Sequence, residues 1–161
     1  MTRSDSAIFA QLDAVRSLTV RQLEDLTPLQ GDLIPSGFRN SIRWNAGHLV
    51  AVLERFAFKA PALPSPLPAS FRTQFDFGSS PASWMDQDEP VPALEELLEL
   101  LREQPGRVQG ALAGRLDEPV EPYTTSTGIL LTTPREFLSL ALYHEGLHMS
   151  VIKLYRRLLG L

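Results

Sequence analysis

The sequence predicts an all-α protein, a four-helix bundle with one long crossover connection. Three observations predict it. Four segments repeat apolar residues at every third or fourth position, the period of a helix with one buried face. No segment alternates apolar and polar residues over a length that would build a sheet. The proline-rich stretch between the second and third segments is long enough to span a bundle, so simple up-and-down helix order is not required. The 161 residues are expected to form one domain, 1–161, with enough chain to bury a sizeable core.

The first helix starts near Ser4 or Ser6, either of which can cap it, and carries Ile8, Leu12, Val15, Thr19, Leu23 and Leu26 on one face. Thr27-Pro28 is expected to end it, because the residue before a proline is pushed out of helical geometry. Leu29 to Arg39, with Gly31, Pro35 and Gly37, reads as a loop. The second helix starts at Asn40 or Ser41 and runs to about Ala60, with Trp44, His48, Ala51, Val52 and Arg55 on one face. Gly47 in its interior costs about 1 kcal/mol against alanine. That cost implies close packing of another element, or room needed beside His48.

From Pro61 to Pro92 lie seven of the thirteen prolines, together with Phe71, Phe75, Phe77 and Trp84. Proline excludes regular helix and central strand, and the aromatic content is too high for a disordered linker. The segment is expected to be an ordered crossover laid over the bundle. The third helix reads Val91 to about Leu116. Its apolar register resumes in phase after Pro105-Gly106, which favours one kinked helix over a break near Gln104. Asp117 to Thr132 allows a short hairpin around Gly128. The fourth helix has Thr133 as N-cap, Pro134 in the first position and Glu136 in the third, a capping box, and Gly160 can terminate it.

Charge and composition exclude several classes. The net charge is −4, and the one basic cluster, Lys153, Arg156 and Arg157, sits near a helix C-terminus where the macrodipole favours positive charge. There is no footprint for nucleic acid. No apolar run approaches a membrane span and the N-terminus lacks an apolar signal core, so a cytoplasmic protein is expected. The absence of cysteine excludes disulfides, thiolate ligands and a cysteine nucleophile. Any thiol chemistry needs a thiol brought in as substrate. No exposed apolar stripe demanding a partner copy is evident.

The chain has three histidines. His144 and His148 are four apart in the fourth helix and so share a face, spaced to grip one ion. With Glu145 they match the His-Glu-x-x-His pattern of zinc proteases. Such enzymes draw a third ligand from downstream, and Met149 to Leu161 contains no histidine, aspartate or glutamate. The third ligand must come from upstream, and His48 is the remaining histidine. Spacing alone leaves two readings open, a metal site and three satisfied core histidines.

Asn40-Ser-Ile-Arg-Trp-Asn-Ala-Gly-His-Leu, the Phe75-Asp-Phe-Gly-Ser-Ser-Pro loop and His144-Glu-Gly-Leu-His-Met-Ser-Val-Ile together resemble the DinB/YfiT-like superfamily. The resemblance covers nearly the whole chain. Met149-Ser150 stands where many members have a glycine. The resemblance implies a bundle with non-sequential helix order and a divalent transition metal, described as zinc, nickel or iron, on His48, His144 and His148. It also implies a transferase or isomerase that activates a low-molecular-weight thiol against an electrophile, and homodimers are common in the family. A metal-dependent hydrolase, and a non-catalytic stress-response or binding bundle with a structural metal, are the alternatives. Trp44 and Asn45, about one turn before His48, are expected to line the pocket. Glu145 is expected beside it, as a proton acceptor or, more simply, as a solvent-facing or supporting carboxylate, since one residue from His144 is about 100° around the helix.

Overall fold

The computed structural model describes residues 3–161, without the side chains of Arg3, Ser4 and Asp86. Four long helices form the bundle: α1 (Arg3–Val20), α3 (Ile42–Glu54), α5 (Leu94–Leu112) and α6 (Pro134–Leu159). Two short helices, α2 (Pro28–Asp32) and α4 (Ala69–Phe75), lie in the connections. Helices α1 and α3 both pack against α5 and α6. Consecutive long helices α1 and α3 therefore stand at opposite corners, the non-sequential order expected.

Several boundaries differ from the sequence expectation. Helix α1 already includes Ser6, so Ser6 does not precede it, and the capping role of the Ser4 side chain lies outside the described residues. The helix ends at Val20, short of Leu26. Thr27-Pro28 starts the next helix instead of closing the first: Thr27 caps α2 by accepting from Gln30 N, and Pro28 takes the first helical position. Ser41 caps α3 by accepting from Trp44 N. The helix then widens into one π turn, Arg55–Lys59.

The crossover was expected to exclude regular helix. It contains α4, because the prolines cluster at its two ends and leave 69–80 free of them. Phe71 and Phe75 of α4 are fully buried and anchor the crossover to the bundle. A 3-10 turn, Pro81–Asp86, follows. Helix α5 passes through Pro105 without a break and ends at Leu112, four residues earlier than expected. Tyr123–Thr124 (β1) and Leu130–Leu131 (β2) form a two-stranded antiparallel hairpin, with Gly128 at φ +84° in its turn. Helix α6 starts at Thr133 with the Glu136 carboxylate accepting from Thr133 N, the reaching-back half of the expected capping box, and Gly160 closes it in the left-handed region.

The apolar core is divided in two. One cluster gathers Val20, Leu23, Ile42, Leu49, Leu94, Leu101 and Ile152, the other Ile8, Leu12, Phe56, Val108, Leu112 and Leu138. Between them each long helix contributes a buried polar side chain: Arg16, Glu54, Gln104 and Glu145. Arg16 forks onto both oxygens of Glu145 (2.7 and 3.0 Å) and donates to Leu101 O and Gln104 Oε1. Gln104 Nε2 donates to Glu54 and to Val50 O, and Arg107 forks onto Glu54. This layer ties all four helices together at one level.

A stripe of Tyr143, Leu147, Leu154 and Leu158 runs along the outer face of α6, each between 44% and 63% exposed. The sequence reading finds no stripe demanding a partner copy, and this one is not picked out there. Its members mix with polar residues in sequence, and only the helix register and the direction of the core bring them together.

Candidate metal centre

Helices α3 and α6 run antiparallel past each other and bring the three histidines to one point. One ligand nitrogen from each lies within 4.8 Å of the other two. His48 Nε2 and His144 Nε2 face each other at 3.3 Å. Two nitrogens held about 2.0–2.1 Å from a tetrahedral ion lie about 3.3 Å apart, so the spacing is that of a ligand pair.

The tautomers are fixed by what the other ring nitrogens touch. His48 Nδ1 lies 2.6 Å from Phe75 O, a carbonyl that only accepts, so Nδ1 carries the proton and Nε2 presents its lone pair. His148 Nδ1 lies 2.8 Å from Asn45 Oδ1. Asn45 Nδ2 donates to Ser41 O, which orients the amide with its oxygen toward His148. His148 Nδ1 therefore donates, and Nε2 is again free. A protein partner on the far nitrogen of each ring is the arrangement that orients metal-binding histidines. Two lone pairs and a third imidazole directed at one space fit a divalent transition ion.

Burial lowers the pKa of His48, against the Phe75 carbonyl and Asp76, which favour its charged form. Burial, then the positive charges of His48 and Arg55, lower His144 to about 4. Burial, then His48 and His144, lower His148 to about 3. All three are neutral at neutral pH, the form a metal requires. The unfolded chain protonates its histidines near 6.5, so it binds more protons than the folded chain at any pH between the two values. Stability of the metal-free protein is therefore full above about 6.5 and declines as pH falls toward 4, with a limiting slope of about 1.4 kcal/mol per pH unit for each histidine. Urea midpoints of chelator-treated protein at pH 7 and pH 5 read this directly. Equal midpoints would contradict it.

The histidines form the floor of a cleft of about 470 Å³ walled by Arg39, Asn40, Trp44, Phe77, Val151 and Tyr155. Trp44 stacks on His48, ring centroids 4.7 Å apart, and its Nε1 donates to Ser79 Oγ. Trp44 and Asn45 both line the cleft. Glu145 does not. It is 2% exposed, held by Arg16 on the core side of α6, neither facing solvent nor placed to take a proton in the cleft. Its position is opposite to a pocket residue because the next residue along a helix turns toward the core. The Phe75 carbonyl, which orients His48, escaped sequence reasoning, as backbone atoms leave no residue-type signal. Gly47 was its trace: a Cβ there would meet the Phe75 ring, 2.6 Å from Cγ and closer to two other ring carbons.

A helical bundle with an open three-histidine centre between two antiparallel helices is thus the class of protein that the fold and site define. The DinB superfamily model matches residues 11–152, and the chain belongs to that superfamily. A crystal structure of a protein assigned to the DinB family, from Exiguobacterium sibiricum 255-15, is similar in fold at a TM-score of 0.62, with 22% identity over 99% of this chain and 94% of that one. Among curated proteins none matches the chain.

Proposed function

We propose that the protein is a cytoplasmic metal-dependent transferase, 1–161 acting as one domain, that directs a low-molecular-weight thiol at an electrophilic small molecule. The observation that carries this reading is the open side of the histidine triangle. Three neutral imidazoles lie at the bottom of a cleft whose mouth is not closed by protein. A divalent ion held there, zinc, nickel or iron, would supply positive charge that lowers a thiol's pKa and leaves a coordination position for it.

The chain's own residues bind and orient. His48, His144 and His148 would hold the ion, with Phe75 O and Asn45 fixing two of the rings. The indole of Trp44 gives the cleft an apolar wall against which a small molecule can rest. The sulfur comes from a cosubstrate, because the chain has no cysteine. With Glu145 turned inward, the thiol proton leaves through the open cleft to solvent.

The test is a panel of electrophiles offered to metal-loaded protein with and without a thiol. Conversion is expected only when both metal and thiol are present. Conversion without thiol would replace the transferase with a hydrolase, and no conversion with any metal would leave a non-catalytic binding bundle. A homodimer belongs to the same proposal, and the Tyr143–Leu158 stripe is the surface that supports it. Leu154→Glu is expected to shift the protein from dimer to monomer in sedimentation, and a wild-type monomer would remove this part of the reading.

A further inference from the structure

The Phe75 carbonyl that orients His48 is itself held in place by neighbouring groups. It lies at the C-terminal end of α4, where the last carbonyls of a helix find no partner within it. Here they are taken up from outside. Gln74 O accepts from Ser79 Oγ and Trp84 Nε1, and Phe75 O accepts from His48 Nδ1. The next peptide N–H, of Asp76, donates back to Arg72 O at 2.8 Å. Both ends of the Phe75–Asp76 peptide are therefore bonded.

Asp76 is an unexpected residue at this place. The macrodipole makes a helix C-terminus negative, so an acidic side chain there is disfavoured. Two strong donors hold it: Asp76 Oδ1 accepts from Arg55 Nη1 at 2.9 Å and from Phe77 N at 2.9 Å. Arg72 is more distant, 3.5 Å from Oδ2. Burial favours the neutral acid, but the Phe77 N–H and then the Arg55 charge outweigh it, so the carboxyl stays ionised at neutral pH.

Arg55 comes from the end of the helix that carries His48. The two are seven residues apart, about two turns, so their side chains leave on one face. One reaches Phe75 O and the other reaches Asp76 Oδ1. Helix α3 thus grips two consecutive residues of the crossover at two points. The turn beyond is tied to the same helix, since Ser79 N donates to Asp76 O and Ser79 Oγ accepts from the Trp44 indole. The Arg55 and Asp76 side chains are 31% and 19% exposed, and an ion pair so open to water contributes little to stability. Its place directly behind the carbonyl that turns a ligand ring gives it a different use.

We propose that Arg55 and Asp76 are positioning residues of the histidine centre. Their ion pair locks the Phe75–Asp76 peptide, and the locked carbonyl turns the His48 ring so that Nε2 faces the other two histidines. The proposal rests on the reading of the three histidines as a metal site, and it adds two residues that would touch neither metal nor substrate.

Two readouts test it on the full chain, neither of them turnover. The first is the ring N–H of His48 in metal-free protein with ¹⁵N-labelled histidine. Wild type is expected to show a downfield, slowly exchanging Nδ1–H signal. Arg55→Gln and Asp76→Ala are each expected to lose it while the urea midpoint stays near that of wild type. The second is zinc affinity by chelator competition, which each substitution is expected to weaken about tenfold, the lower end of what loss of a supporting partner costs. The double variant is expected to be no weaker than either single one, because the two residues act as one clamp. Arg72→Gln removes a neighbouring charge and leaves both bonds to Oδ1, and is expected to change neither readout. Asp76→Ala with an intact ring signal and wild-type zinc affinity overturns the proposal. So does an equal loss of affinity in Arg72→Gln, which would make the effect one of charge alone. A loss of affinity that only follows a fall in the urea midpoint overturns it as well, since a general structural role predicts that. If wild type binds no zinc, the metal reading falls by itself, and the ring signal of the metal-free variants still decides whether the pair sets His48.

Discussion

Arg16→Ala is expected to lower the unfolding free energy by about 3–5 kcal/mol, read from the shift of the urea midpoint of metal-free protein. Arg16 is 2% exposed, so water cannot take over its bonds as it does for a surface ion pair. Its removal leaves the Glu145 carboxylate buried without its fork, and takes the donor from Leu101 O and Gln104 Oε1 as well. Alanine also leaves a cavity at the junction of the two apolar clusters. Replacing both charges, Arg16→Met with Glu145→Leu, is expected to recover much of the loss, because a buried pair exchanged for well-packed apolar side chains is often neutral. If Arg16→Ala alone costs less than about 1 kcal/mol, the polar layer does not hold the four helices in register as described.

Gly47→Ala is the second large effect, and it is expected in two readouts at once. The new Cβ collides with the Phe75 ring, which is fully buried between Phe71 and Trp84. The ring cannot swing aside into solvent. Forcing it to move costs about 1–3 kcal/mol, against which the helix gains about 1 kcal/mol from alanine. Stability therefore falls modestly. The larger change is in the centre, because the carbonyl of that same Phe75 orients His48. Loss of such a supporting partner typically weakens a metal about 10–100-fold. A competition titration against a chelator would measure it. Unchanged metal affinity in a folded Gly47→Ala protein would mean that the Phe75 carbonyl does not set the His48 ring.

What the sequence showed and what it hid follow from one distinction. Helix periodicity, the Thr133–Glu136 capping box and the four-residue step from His144 to His148 are local, and local patterns can be read directly. So could the interest of His48, the one other histidine in the sequence, which the structure brings to that pair. The Arg16–Glu145 pair joins residues 129 apart in the chain, and no spacing rule links them. Glu145 was therefore set against the pocket or solvent, when a distant arginine had drawn it into the core. Helix α4 was hidden by composition, because a count of prolines over 61–92 conceals that they leave 69–80 untouched. Thr27-Pro28 was ambiguous in kind: the same pair stops one helix and caps the next, and only tertiary packing decides where α1 has already ended.

The central claim is that His48, brought from α3, completes a metal centre with His144 and His148 of α6. Elemental analysis of protein purified without a metal-affinity tag, wild type beside His48→Ala, tests it most directly. The account predicts close to one divalent transition ion per wild-type chain and close to none in His48→Ala, with the variant's helical circular dichroism retained. Equal metal content in the two proteins would contradict it, and so would a wild-type chain that takes up no zinc, nickel or iron on reconstitution.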